Sequence, residues 1–276
     1  MTFKTISIGT NDNGPLLANL HVPSGEGAWP LVVGVSGGGW VQGHRSSLSA
    51  WGDWFANHGI AFASVDYRRA QGRAVFPGNA EDVATALCHF ATNGDKLGIA
   101  ADRIAVVGVS AGAHLSALAI LSDQFALPPV RAFVGVYGVY DLMAHWQADV
   151  WRNAAPGHDK TEAMLGCTPF DDPLLFHRAS PLRQITYDKA LPALLIWGQA
   201  DREVMPDAQS AAFARALVQA RFPVRTLELP DAGHLWFSEE GPESGGSHSA
   251  RVAPDLLRFV QRQLAPAAEQ ASRTSQ

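Results

Sequence analysis

A chain of 276 residues, 47% hydrophobic and 17% charged, is long enough to bury one large core, and its formal net charge of −5 leaves no basic footprint for nucleic acid. Two cysteines lacking C-x-x-C spacing, Cys88 and Cys167, suit free thiols in a reducing compartment better than a disulfide framework. The opening stretch MTFKTISIGTNDNG has no apolar signal-peptide core, and no apolar run reaches the ~18 residues of a membrane span, so a soluble cytoplasmic protein without membrane insertion is expected.

In chain order, alternating apolar and polar residues predict strands over 3–8 and 15–22, joined through Thr10-Asn11-Asp12-Asn13-Gly14 as an antiparallel hairpin at a sheet edge. A strand over 31–36 follows, then a helix over 46–58, a strand over 60–66 and a helix over 78–94. The strand at 103–109 leads into a helix at 111–122, and a strand at 130–137 comes next. Between Asp141 and Ala190 the rhythm breaks: Trp146, Trp151 and four prolines mark an excursion too long for a plain connection and placed to cap a pocket. Strands at 192–198 and 223–229 bracket a helix at 207–221, and a helix at 250–264 closes the pattern. The polar tail after Pro266 is expected to be disordered. Strands alternating with helices predict an α/β fold, a mostly parallel eight-stranded sheet flanked by helices. One domain over 1–265 is expected, with a partly helical insertion near 141–190 and a tail at 266–276.

Two Gly-x-Ser-x-Gly runs compete for the same chemistry, Gly34 to Gly38 around Ser36 and Gly108 to Gly112 around Ser110. Ser110 ends an apolar strand and opens an apolar helix. A strand, sharp turn and helix project Oγ beyond the sheet, and small neighbours let strand and helix nearly touch. Ser36 is followed by Gly37-Gly38-Gly39, and each glycine costs about 1 kcal/mol relative to alanine in a helix interior, so this serine begins a loop. A glycine loop after a central strand can aim N–H groups at developing negative charge, as an oxyanion hole requires. Neither a phosphate-loop nor a dinucleotide pattern fits the stretch.

These residues resemble the α/β-hydrolase family, in the esterase branch of hormone-sensitive-lipase-like, feruloyl-esterase-like and kynurenine-formamidase-like enzymes. The matching stretches are Gly37-Gly38-Gly39-Trp40, SVDYR at 64–68, FPGNAEDV at 76–83, GVSAGAH at 108–114, GQADREVMP at 198–206 and DAGH at 231–234, which together cover most of the chain. The resemblance implies the α/β-hydrolase fold and serine-dependent cleavage of carboxylic esters. Two departures stand out. Ser36 occupies the place where the family usually carries a histidine before the glycines, and the family's longer N-terminal cap is not seen ahead of a loop that begins at residue 37. A shallow pocket that prefers short acyl chains is expected.

In this fold the partners follow the nucleophile in the order Ser, Asp or Glu, His. Asp201, after the strand ending near Trp197, and His234, after the strand ending at Leu229, fit; both lie at carboxyl ends of strands, where open parallel sheets place their sites. Asp141 is the second acid that can reach the histidine. His114, Asp66 and Asp82 read as structural, His89 and His248 as surface or helix-face groups, and Asp207 as a helix cap. The oxyanion donors expected are the N–H groups of Gly38, Gly39 and Ala111. Trp40, Trp146, Trp151 and Trp236 are candidates for walls of the substrate pocket, each competing with plain core packing. No metal is expected, since His-Glu-x-x-His and clustered Cys/His are absent, and no cofactor is implied. The expected chemistry is acylation of Ser110 by a small-molecule ester and hydrolysis of the acyl-enzyme. Amide cleavage of the formamidase or acylaminoacyl-peptidase kind, and ligand binding without catalysis, are the alternatives; a homodimer is left open.

Overall fold

The alternating run at the start of the chain folds into the expected edge hairpin, β1 (Lys4–Asn11) and β2 (Gly14–His21), antiparallel with a bulge between Ser7 and Gly9. These strands open a computed structural model that describes residues 3–153 and 159–266. The other strands are β3 (Trp29–Val35), β4 (Ala61–Val65), β5 (Ile99–Val109), β6 (Ala132–Val136), β7 (Ala193–Gly198) and β8 (Val224–Leu229). They form one eight-stranded sheet in the order β1-β2-β4-β3-β5-β6-β7-β8. The β1–β2 and β2–β4 pairs are antiparallel and the remaining pairs parallel.

Every residue of β4, β6 and β7 is buried. A parallel sheet covered on both faces demands this, which is why these strands are written as continuous apolar runs rather than alternating ones. The covering helices are α1 (Ser49–Asn57), α2 (Gly78–Leu97), α3 (Ala111–Leu121), α4 (Leu142–Asn153), α5 (Lys160–Leu165), α6 (Pro173–Ala179), α7 (Ser210–Gln219), α8 (Trp236–Glu239) and α9 (His248–Leu264). Burial of one Val, Leu or Phe side chain stabilises by roughly 1.5–3 kcal/mol, so the central strands form a stiff base for the loops they carry. Because β3, β5, β6, β7 and β8 run parallel, their carboxyl ends share one edge of the sheet. The glycine loop, Ser110, Asp201 and His234 all follow those ends.

The differences from expectation have tertiary causes. β5 begins at Ile99 rather than at 103 because Ile99 pairs with Trp29 across a register irregularity, a partner no local pattern reveals. The helix expected from 207 opens at Ser210, and no side chain caps it; Asp207 is not its cap. Instead Gln209 turns inward, its Oε1 accepting from the N–H groups of Tyr140 at 2.7 Å and Asp141 at 2.9 Å. The short α8 went unpredicted, as a single turn leaves too few residues for a periodic signal. The excursion between Asp141 and Ala190 holds α4, α5 and α6 followed by two 3₁₀ turns. The tail expected to be disordered falls, from residue 267 on, outside the described residues. No helix among the described residues is long and apolar enough to cross a membrane.

Candidate active site

Ser110 prolongs β5 by one hydrogen bond, its N–H donating to Val136 O at 2.9 Å, and then turns sharply with φ +52° and ψ −119°. Its carbonyl accepts from His114 N at 3.1 Å to start α3. Such a backbone costs on the order of 1–3 kcal/mol, held in place here by strand on one side and helix on the other. A Cβ on Gly112 would lie 2.1 Å from Val35 O, so the start of α3 meets the end of β3 backbone to backbone. Only glycine permits that approach.

The loop after β8 brings His234 to this serine. Its Nε2 lies 3.0 Å from Ser110 Oγ and its Nδ1 2.6 Å from Asp201 Oδ2, and the imidazole and carboxylate side chains are 5% and 1% exposed. Asp201 reaches in from the loop after β7, where its other oxygen, Oδ1, accepts from the N–H groups of Glu203 and Val204 at 2.9 Å each. An ionised carboxylate only accepts, so His234 donates from Nδ1–H and its Nε2 is free to accept the serine proton. The ring of Tyr137, a residue at φ +36°, packs 4.4 Å from the imidazole and limits its rotation.

Gly38, at φ +124°, bends the glycine loop into a tight turn whose carbonyl accepts from Val41 N at 3.3 Å and Gln42 N at 3.0 Å. Neither Gly38 nor Gly39 donates a backbone hydrogen bond among the described residues, and Ala111 N–H opens α3, where a helix leaves its first donors unpaired. These three residues, with Ser110 and His234, line one cavity of about 720 Å³. Ser36 is buried at the end of β3, and no hydrogen bond of its hydroxyl is found among the described residues.

Trp40 and Trp146 line the same cavity. Two other tryptophans expected there do not. Trp151 stands 89% exposed on α4: five residues beyond Trp146, it is turned about 140° around the helix at 3.6 residues per turn. Trp236 is buried on α8 and lies edge-on to Tyr137 at 5.4 Å, outside the cavity lining. Among the rival acids, Asp141 is engaged elsewhere, accepting from Ala144 N at 3.1 Å and from Arg183 at 3.0 Å. Asp66 pairs with Arg45, and the buried Asp82 binds Arg68 and Asn11. His248 faces Asp231 and Glu240 at 3.5 Å each.

Several cavity residues escaped the sequence reading: His145 and Asp149 on α4, Asp159, Lys160 and Glu162 at the start of α5, and Glu203 beside Asp201. Burial holds His145 below the usual histidine range although Asp149 opposes the shift. Burial likewise raises the Asp159 carboxyl, which caps α5 by accepting from Thr161 N at 2.7 Å and Glu162 N at 3.0 Å. Arg152 pairs with Asp149 and reaches the carbonyls of Arg202 and Glu203, tying α4 to the Asp201 loop. Charges on a helix read by default as a solvated face; only the docking of α4 and α5 over the strand ends turns these inward.

Residues 19–217, more than half of the chain, match the BD-FAE family. Esterase LipC of Mycobacterium tuberculosis is 36% identical over 78% of this chain and 55% of its own length. Esterase LipQ of the same organism is 33% identical over 75% of this chain and 50% of its own. The chain thus spans about half the length of the curated relatives it matches. The acetyl ester-xyloside bifunctional hydrolase from Caldicellulosiruptor lactoaceticus superposes with a TM-score of 0.78 over 94% of this chain and 96% of that one at 21% identity, which shows the α/β-hydrolase fold.

Proposed function

We propose a function from one premise: the chain belongs to the BD-FAE family, in the esterase branch of the α/β-hydrolases. We infer that it is a serine carboxylesterase that cleaves short-chain carboxylic esters through an acyl-enzyme on Ser110. The observation that carries this is the unbroken line from Asp201 through His234 to Ser110, at 2.6 and 3.0 Å, ending in a cavity lined by uncommitted N–H groups. The likeness to the esterases LipC and LipQ lends support.

Each step follows from these positions. Ser110 Oγ attacks the ester carbonyl while its proton passes to His234 Nε2, and Asp201 stabilises the imidazolium that forms. The tetrahedral oxyanion lies against the N–H groups of Gly38, Gly39 and Ala111. His234 then protonates the departing alcohol, a water enters, and the same imidazole activates it to release the acid. Short acyl chains are favoured because charged Asp149, Arg152, Lys160 and Glu203 share the cavity with Val139, Val150, Val204 and Leu235. A long chain must then forgo part of the ~0.8 kcal/mol that each buried methylene contributes. A reducing, cytoplasmic setting fits the free thiols of Cys88 and Cys167.

The test is a panel of aryl esters of graded acyl length run beside formyl and peptidyl amides. Turnover is expected on acyl groups of about two to six carbons, the range in which few methylenes need burial, with amides slower. Faster cleavage of the amides, or of twelve-carbon esters, would overturn the proposal.

A further inference from the structure

The turn carrying Gly38 and Gly39 is held by side chains. The next residue, Trp40, has φ +60°, a backbone that a bulky residue adopts only when its surroundings hold it there. Its indole is 1% exposed and donates from Nε1 to His114 Nδ1 at 3.0 Å, the two rings edge-on with centroids 5.2 Å apart. An indole N–H can only donate, so His114 accepts on Nδ1 and carries its proton on Nε2. That proton is given to the carbonyl of Ala179, the last residue of α6, at 2.8 Å.

His114 is fully buried in the first turn of α3, its own N–H on the Ser110 carbonyl. One imidazole therefore joins the three bodies that meet at the cavity: the glycine loop, the nucleophile helix and the α4 to α6 segment. Burial lowers its pKa to about 4, so the neutral form that this bonding requires is the one present near neutrality. The start of the loop has a separate brace, since Tyr67 Oη donates to Ser36 O and Gly37 O at 3.1 and 3.2 Å. Ser36, standing where the family usually carries a histidine, contributes no side-chain bond among the described residues.

We propose that His114 is a positioning residue that fixes the oxyanion turn through Trp40 and couples that turn to the cavity wall through Ala179. The proposal rests on the acyl-enzyme chemistry assigned to Ser110. Without this clamp Trp40 is free to leave its left-handed backbone, and the Gly38 and Gly39 N–H groups turn with it. The loss falls on the transition state and the tetrahedral intermediate it leads to, because negative charge on the carbonyl oxygen is absent from the ground-state ester.

The experiment compares Trp40→Phe, which keeps a ring but removes the donor, with His114→Leu and with His114→Gln, whose amide can accept from Trp40 and donate to Ala179. kcat and KM are measured on a short-chain aryl ester, affinity for a boronic acid that mimics the tetrahedral intermediate is measured in parallel, and thermal unfolding checks that each variant is folded. For Trp40→Phe the expected result is a kcat lower by about ten- to hundredfold with KM changed less than about twofold, and boronate affinity falling by the same factor as kcat. His114→Gln should recover most of what His114→Leu loses, and adding Trp40→Phe to His114→Leu should cost nothing further. Unchanged kcat in a folded Trp40→Phe enzyme, a change confined to KM, or additive losses in the double variant would overturn the proposal. If His114→Leu fails to fold, Trp40→Phe and His114→Gln decide the matter alone. Persistent hydrolysis by Ser110→Ala would instead defeat the acyl-enzyme assignment, so the two failures are told apart.

Discussion

Ser36 and Ser110 sit at the carboxyl ends of the adjacent parallel strands β3 and β5, where Val35 pairs with Gly108, yet their surroundings are opposite. Ser110 turns at φ +52° into a helix and meets His234 at 3.0 Å. Ser36 stays buried and offers its carbonyl to Tyr67 at 3.1 Å. The same five-residue pattern thus supplies the proposed nucleophile on one strand and the root of the glycine loop on its neighbour.

Ser110→Ala should therefore lower kcat/KM by about 10³-fold or more, in line with losses of other triad members. Ser36→Ala should cost less than about tenfold, since its hydroxyl makes no hydrogen bond among the described residues. Steady-state kinetics on one short-chain ester measures both. Equal damage from the two substitutions would contradict the assignment.

Asp201→Asn tests the tautomer. Oδ1 of Asp201 is occupied by the N–H groups of Glu203 and Val204, so the asparagine oxygen stays there and its NH₂ faces His234. Nδ1 must then accept, the proton moves to Nε2, and the base is lost. A kcat lower by about 10⁴-fold is expected, with KM little altered and the fold intact. A loss below tenfold would mean that another acid, Asp141 first among them, serves the histidine.

Much of this was legible in the sequence, for identifiable reasons. Buried parallel strands are written as apolar runs and the edge hairpin as an alternating one, so all eight strands could be placed, and the elbow at Ser110 and the strand-end loops of Asp201 and His234 follow from where the strands stop. Side-chain direction was another matter. Trp146 and Trp151 share α4, but only Trp146 faces the cavity, and which face of a helix docks depends on partners distant in sequence. The same holds for His145, which lines the same cavity as His234 and has no local signature. Nor could the pattern reveal that Tyr67 and His114, rather than Ser36, brace the glycine loop.

The glycine turn at Gly38 and Gly39 makes a graded prediction. A Cβ on Gly38 would lie 2.1 Å from Gln42 O, which is backbone, whereas a Cβ on Gly39 would meet the flexible Lys160 stem at 2.5 Å. Gly38→Ala should lower kcat by about 10²-fold or more by displacing an oxyanion donor, and Gly39→Ala should be milder. In the Lys160→Ala background Gly39→Ala should be milder still. The kcat values of the four variants check this order, and a Gly39→Ala loss equal to that of Gly38→Ala would contradict it.

His114 links stability to pH. Burial lowers its pKa from 6.5 to about 4, so between those values the unfolded chain binds a proton that the folded chain refuses. Stability is then full above about pH 6.5 and falls as the solution is acidified toward pH 4, by roughly 3 kcal/mol at most from this one group. Urea unfolding at several pH values should show a shallower acid slope for His114→Gln than for the parent chain. Parallel slopes would mean that His114 titrates alike in both states.

The most direct test of the central claim, that Ser110 is the nucleophile of an ester hydrolase, is covalent labelling. An organophosphonate that inactivates the enzyme is allowed to react to completion, and the adduct is located by peptide mass spectrometry. The account predicts one phosphonyl group, on Ser110 within the peptide spanning Gly108 to Gly112, with labelling abolished by Ser110→Ala. An adduct on Ser36, or inactivation without a label on Ser110, would contradict it.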